Sequence, residues 1–173
     1  MKIWIVLLRG INVGGYHIVP MKELRQLLEN NGFEKVATYI QSGNIVCSYP
    51  TNPSHKISTL IEQKFGFKPS IFALTVENLM SVIENNPYPG DGGKMVHFFF
   101  FHSSPSSVDY NTLDDVKAKN EHYQLIDNVL YLHAPDGIGR SKMVDKIPKA
   151  FAKAEMTARN LNTINKLAEM VEE

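Results

Sequence analysis

Short apolar runs alternate with helical patterns along the first 74 residues, and their order leaves few possible folds. The run Ile3–Leu8 is almost continuously apolar, which predicts a central strand covered on both faces. Residues 20–31 and 53–65 carry apolar side chains at a spacing near 3.6, which predicts two helices. Three further strands are predicted at Val36–Ile40, Asn44–Tyr49 and Lys68–Leu74. The resulting order, β-α-β-β-α-β, is that of a ferredoxin-like fold.

The second half of the chain repeats much of this order. A helix is expected from Thr75, a surface loop at 86–93, and a strand at Met95–Phe101 with four consecutive phenylalanines. The pattern continues with a short helix within 106–119 and a hairpin over 122–133. It ends with a helix from Ser141, which Pro148 should kink or restart, and a final amphipathic helix. We therefore predict an α+β protein of two ferredoxin-like halves with a C-terminal amphipathic helix. The predicted divisions are a first subdomain at 1–74, a connecting helix and loop at 75–94, and a second subdomain at 95–173.

Composition removes several classes of protein. The hydrophobic fraction of 43% excludes a disordered chain. Eighteen basic and eighteen acidic residues give a net charge of zero, which argues against a protein that coats nucleic acid or anionic membrane. No apolar run is long enough to span a membrane, and the single cysteine, Cys47, excludes an internal disulfide framework. A cytoplasmic protein without a membrane partner is expected.

Four polar, glycine-containing or asparagine-containing segments stand out from these patterns. They are Leu8–Gly15, Tyr39–Val46, Pro135–Lys142 and Thr157–Thr163. Together they resemble the bacterial family called domain of unknown function 1697, and the resemblance extends over nearly the whole chain. It implies a soluble α+β protein with two related subdomains, and it implies no accepted activity, substrate or cofactor. One departure is Leu161, where relatives commonly have a tryptophan.

The first two segments each have two interpretations. In Arg9–Gly15, the glycines either only turn the chain or let backbone N–H groups approach a phosphate or carboxylate that Arg9 would also bind. In the turn Gln41–Asn44, Ser and Asn side chains are expected to bond the local backbone. A turn explains Gln41 less well, because glutamine is not a preferred turn residue.

The other two segments precede predicted helices. Gly137–Lys142 combines a flexible backbone, a helix start and the cations Arg140 and Lys142, which is a known arrangement for binding anions. Its simpler interpretation is that Ser141 caps the helix. In Thr157–Thr163 we expect a helix entrance capped by Asn162 or Thr163. Arg159 and Asn160 then either bind a ligand or tie the last helix to the turn at Gln41.

Metal and known RNA-binding signatures are absent from the sequence. None of the six histidines has metal-ligand spacing, so no metal and no cofactor are expected. The consensus of RNA-binding ferredoxin-like sheets is missing, and the run Phe98–Phe101 better fits a strand covered on both faces. An RNA partner is supported only by the cations Arg9, Arg140, Lys142 and Arg159 of the polar segments.

We hypothesise that the four polar segments converge on one site, because free backbone donors occur at strand ends and helix starts. The predicted ligand-binding residues are Arg9, Asn12, Gln41, Asn44, Arg140, Lys142, Arg159 and Asn160. The favoured function is binding of an anionic small molecule, a nucleotide or a short RNA stretch. The alternatives are an enzyme that acts on a phosphorylated metabolite and a protein-interaction module. The segments contain Asp136 but neither His nor Glu, so Asp136 would be the base of such an enzyme.

Overall fold

The structure is a computed structural model that describes all residues, Met1–Glu173, and it divides into two units. The first unit comprises Met1–Ser81 with Lys166–Glu173, and the second comprises Val82–Asn165. Each unit contains one four-stranded antiparallel sheet, so the predicted α+β class with two ferredoxin-like halves is confirmed.

The first unit has the strand order β2-β3-β1-β4. Its strands are β1 (Lys2–Leu8), β2 (Glu34–Tyr39), β3 (Asn44–Tyr49) and β4 (Ile71–Thr75). Its helices are α1 (Met21–Glu29) and α2 (Ser54–Phe65), and α3 (Val76–Glu84) leads out of it. All three strand pairs are antiparallel. The order of these elements along the chain matches the sequence-based prediction, with strand ends moved by at most three residues.

Strand β1 is buried on both faces, as its continuous apolar run predicts. Trp4, Val6 and Leu8 alternate into a core that also holds the apolar faces of α1 and α2. Ile5 and Leu7 point to the opposite face and have no exposed surface. Burying each such side chain contributes about 1.5–3 kcal/mol. Because neither face of this strand meets water, its sequence does not alternate between apolar and polar residues, and apolar residues follow one another without interruption.

The second unit repeats the arrangement with the order β6-β7-β5-β8. Its elements are β5 (Val96–Phe101), α4 (Tyr110–Asp114), β6 (His122–Ile126), β7 (Val129–His133), α5 (Lys142–Ala150) and β8 (Met156–Asn160). The last helix, α6 (Leu161–Glu172), begins in the second unit, and its residues from Lys166 onward belong to the first. Phe99 and Phe101 lie in the core beneath α5. On the other face Phe98 meets Tyr131 edge to face, with ring centroids 4.7 Å apart. The four phenylalanines therefore form the doubly covered strand that the sequence predicts.

One local prediction for the second unit is wrong. Thr157–Asn160 belongs to strand β8, which pairs with β5, and is not the entrance of a helix. Its buried positions are Thr157 and Arg159, so the strand lacks the apolar alternation by which strands are predicted. Of the two effects predicted for Pro148, a kink or a restart of the helix, the restart does not occur, because α5 continues through Pro148 and ends at Ala150. Because Pro148 lies in the last turn, its missing N–H removes only one bond close to the helix end.

Candidate functional site

The loop after β1 is held closed by the side chain of Asn12. Its Nδ2 donates to the carbonyl oxygens of Val19 at 3.0 Å and Gln41 at 2.8 Å. Its Oδ1 accepts from the Val19 backbone N–H at 2.8 Å. These three hydrogen bonds involve both the nitrogen and the oxygen of the side-chain amide. Asn12 also has a left-handed φ of 55°, which asparagine tolerates. Asn12 therefore fastens the loop to the turn after β2 and has little capacity left for a ligand.

The turn between β2 and β3 is also built from internal contacts. Asn44 is fully buried, and its Nδ2 donates to the Tyr39 carbonyl at 3.1 Å and to Ser42 Oγ at 2.9 Å. Gly43 has a φ of 85°, and a Cβ added there would lie 2.7 Å from the Cβ of Leu8. The predicted hairpin turn and its local bonds are confirmed. Gln41 contributes its backbone carbonyl to this structure, while its side chain is exposed.

Exposed side chains surround this closed loop. Arg9 is exposed, and its backbone N–H pairs with the Ser70 carbonyl at 3.0 Å. A small hairpin with Gly14 and Gly15 at its tip presents Tyr16, which is 76% exposed. The first unit thus brings Arg9, Asn12, Gln41 and Asn44 into one loop and turn region, and of these four predicted site residues only Arg9 and Gln41 are exposed.

The second unit contains an open cleft of about 410 Å³ beside the start of α5. We call it the Arg140 cleft, and its lining includes Ala118, Glu121, Asp136, Arg140, Ser141 and Lys142. The 3-10 turn Ile138–Arg140 leads into α5, and Gly137 precedes that turn with a left-handed φ of 94°. Ser141 Oγ accepts from the Val144 backbone N–H at 3.2 Å, which confirms the predicted helix cap.

The charged side chains of the Arg140 cleft do not neutralise one another. Arg140 and Lys142 are exposed, and neither forms an ion pair within 4.0 Å with Glu121 or Asp136. Asp136 Oδ2 accepts from Asn120 Nδ2 at 3.0 Å. Glu121 is only 5% exposed, and its Oε1 accepts from the Ala118 backbone N–H at 2.8 Å. The cleft therefore presents two cations and two carboxyl groups to whatever fills it.

The start of α5 adds to the cationic side of this cleft. The backbone N–H groups of a helix's first turn have no partner within the helix and carry a partial positive charge. Ser141 satisfies the N–H of Val144, and the N–H groups of Lys142 and Met143 are not bonded by any other backbone or side-chain group. Of these two residues only Lys142 lines the cleft, and its backbone N–H together with the Arg140 guanidinium is suited to a phosphate or carboxylate.

Arg159 and Asn160 do not line the Arg140 cleft. Arg159 is 7% exposed, and its Nη1 donates to Thr157 Oγ1 and to the Ala158 carbonyl, both at 2.8 Å. Burial lowers the pKa of its guanidinium to about 10, so it stays charged at neutral pH. Asn160 Oδ1 accepts from the Thr163 backbone N–H at 2.9 Å. Asn160 is therefore the cap of α6, and the prediction of Asn162 or Thr163 for that position is wrong because the strand runs on to residue 160.

Other reactive groups are buried or unsuited to chemistry. Burial raises the pKa of the Cys47 thiol to about 12, which makes it a poor nucleophile. Burial lowers the pKa of His97, and its Nδ1 has no hydrogen-bond partner. No group of three or more His, Cys, Asp or Glu side chains is placed to hold a metal ion. None of the helices is both long and apolar enough to cross a membrane.

Sequence reasoning missed one residue of the cleft, Glu121. It lies outside the four polar segments, immediately before β6, and reaches the cleft because the turn from Ala118 folds back on itself. A single glutamate before an edge strand has no local signature that separates it from a solvated charge. Only its burial beside Asp136, Arg140 and Lys142 identifies it.

Comparisons with known proteins agree with this architecture. Residues 1–131 match the family described as "Protein of unknown function (DUF1697)". Among solved structures, the chain is similar to the conserved bacterial protein SP0830 from Streptococcus pneumoniae, with 27% sequence identity and a TM-score of 0.76 over 98% of each chain. No match is found among curated proteins. Because the family match covers more than half of its residues, the chain belongs to the DUF1697 family.

Proposed function

We propose that this protein binds an anionic small molecule or nucleotide in the Arg140 cleft. The observation that carries the proposal is that Arg140 and Lys142 line one cleft of about 410 Å³ without an internal counter-ion. A guanidinium offers a planar fork for two anionic oxygens, and an ammonium adds a point charge. The unbonded backbone N–H of Lys142, in the first turn of α5, favours an anionic ligand as well.

The size of the cleft favours a small ligand over a nucleic-acid strand. Small-molecule sites commonly enclose about 300–1,000 Å³, and this cleft lies near the lower limit. A short RNA stretch would have to place a single phosphate or nucleotide there. The mixed charges of the lining also oppose the uniform positive surface that RNA backbones require.

The test is a thermal-shift and calorimetric screen with inorganic phosphate, nucleoside monophosphates and short single-stranded RNAs. A ligand present at 100 times its Kd stabilises the folded state by about 2.7 kcal/mol. The double variant Arg140→Ala/Lys142→Ala should lose the response. Lys146→Ala removes an exposed cation of the same helix outside the cleft and should retain it. A response that survives the double variant would place the ligand elsewhere.

The wider hypothesis joins the first-unit residues to this site. Arg9, Gln41 and Arg159 would then contribute to the same ligand, and Arg9→Ala should weaken binding as Arg140→Ala does. Arg25→Ala is the matched control, because Arg25 is an exposed arginine that pairs with Glu29 at 2.9 Å on α1. Unchanged affinity in Arg9→Ala would confine the site to the second unit.

An enzyme acting on a phosphorylated metabolite is the alternative that this cleft also supports. The specific observation is that two carboxyl groups, Glu121 and Asp136, line it beside the cations. Turnover that is lost in Asp136→Asn while binding is retained would favour the enzyme. A protein that responds to no ligand in the screen would instead be assigned to the protein-interaction class. The cytoplasm stays the expected location in each case.

A further inference from the structure

We infer that the ligand of the Arg140 cleft is a zwitterion, carrying a positively charged amino group in addition to its phosphate or carboxylate. This inference rests on the proposed function and names the chemical class of its ligand. It is based on the carboxyl groups of Glu121 and Asp136, which also line the cleft and have no role in binding an anion.

Glu121 is the central observation. The residue is only 5% exposed, and of its two carboxylate oxygens only Oε1 has a hydrogen-bond partner, the Ala118 backbone N–H at 2.8 Å. The nearby Lys117 ammonium donates to the backbone carbonyl of Glu121 at 2.9 Å and not to its carboxylate. Oε2 has no hydrogen-bond partner and keeps contact with solvent in the open cleft, so it has the capacity to accept a hydrogen bond from an ammonium group.

Asp136 gives the cleft a second acceptor of the same sign. It is exposed, and Asn120 Nδ2 occupies its Oδ2 at 3.0 Å. With Arg140 and Lys142 the four side chains sum to zero charge. A purely anionic ligand would satisfy the cations while bringing its charge against two carboxylates, which opposes binding. A molecule with one charge of each sign satisfies both sets at once.

The experiment compares matched ligands that differ only in the amino group. Phosphate monoesters of amino alcohols with two, three and four carbons are titrated by calorimetry beside the ethyl, propyl and butyl phosphates, all with EDTA to remove divalent cations. At least one amino phosphate should bind about tenfold or more tightly than its alkyl partner, as expected for a charge-assisted hydrogen bond to a buried carboxylate. Equal affinities within every pair would overturn the zwitterion and leave the proposed function standing.

Two variants test whether Glu121 causes the preference for the amino phosphate. Glu121→Gln keeps an oxygen for the Ala118 N–H but removes the charge, so it should abolish the preference for the amino phosphate while alkyl phosphate affinity is kept or raised. Asp114→Asn changes a carboxylate of α4 that does not line the cleft and should leave the preference intact. A preference that persists in Glu121→Gln, with a far-ultraviolet circular dichroism spectrum like that of the wild type, overturns the assignment. Failure of all six phosphates, of inorganic phosphate and of the nucleoside monophosphates to bind would overturn the proposed function itself.

Discussion

The loop that begins at Arg9 in the first unit and the Arg140 cleft of the second contain similar types of residue but have different structures. Each has an arginine, glycines and small polar residues beside a strand or helix end, and on those grounds anion binding is one of two interpretations of each sequence. In the first unit, Asn12 and Asn44 use their amides to fasten the loop and turn. In the second, Arg140 and Lys142 have no internal partner. Residue type alone therefore does not separate a structural clamp from a binding site, whereas the hydrogen bonds of each side chain do.

The largest effect is expected for Gly43→Ala in the first-unit turn. The added Cβ would lie 2.7 Å from the Leu8 Cβ, and the alanine would have to adopt the left-handed φ of 85° that Gly43 has. Overlap and backbone strain together should lower the free energy of unfolding by about 3 kcal/mol, measured by urea denaturation. Gly66→Ala is the control, because its φ is 83° but nothing lies within 4 Å of the added Cβ. It should cost about 1 kcal/mol, and equal losses at the two sites would remove close packing as the cause.

Asn12→Ala tests the clamp itself. Loss of three hydrogen bonds should reduce the free energy of unfolding by about 2–3 kcal/mol. Gln41→Ala should change it by less than about 0.5 kcal/mol, because Asn12 contacts only the backbone carbonyl of Gln41. If Asn12→Ala is as stable as the wild type in thermal denaturation, the loop is not held by this amide, and the contrast between the two regions fails.

Ser141→Ala separates the helix cap from the cations beside it. Loss of the bond to the Val144 N–H should cost about 1 kcal/mol of folding stability. The exposed Ser107, changed to alanine in the same unit, is expected to have no measurable effect. Circular dichroism during heating gives both values. A loss in Ser107→Ala as large as that in Ser141→Ala would mean that the measurement does not report the cap.

Acid should destabilise the second unit through His97. Burial lowers the pKa of His97 in the folded protein, so below about pH 6.5 the unfolded chain binds a proton that the folded one resists. The free energy of unfolding should therefore fall as the pH drops, by at most about 1.4 kcal/mol per pH unit from this group. His97→Phe should flatten the slope of stability against pH. A slope that is the same in the variant would assign the acid sensitivity to other groups.

The smallest effect on folding is expected for Arg140→Ala/Lys142→Ala. Both side chains are exposed and without ion pairs, so the melting temperature of the double variant should correspond to a change within about 0.5 kcal/mol for each substitution. This near-neutral stability together with lost ligand affinity is the signature of a binding site. A large loss of folding stability would mean that Arg140 and Lys142 stabilise the fold, as Asn12 does, and the contrast between the two regions would fail.

Prediction from sequence succeeded where a side chain's role follows from local pattern. Ser141 caps α5 as expected, because a serine before an apolar helical stripe can bond the first turn without help from distant residues. It failed for β8, because Thr157 and Arg159 are buried by partners that are remote in sequence, such as Phe98 and Phe100 on β5. Glu121 could not be recognised for the same reason, since its distinguishing property is burial at the edge of a cleft.

The sequence by itself determined the class of fold and most of the element order. Ile3–Leu8 and Phe98–Phe101 are apolar on both faces, and such strands must lie at the centre of sheets whatever the rest of the chain does. Only the tertiary structure decided which polar segments are satisfied internally and which keep their charges for a ligand. Hydrogen bonds such as that from Asn12 to Gln41 join residues 29 positions apart, so they are set by the geometry of the folded sheet and not by any local preference.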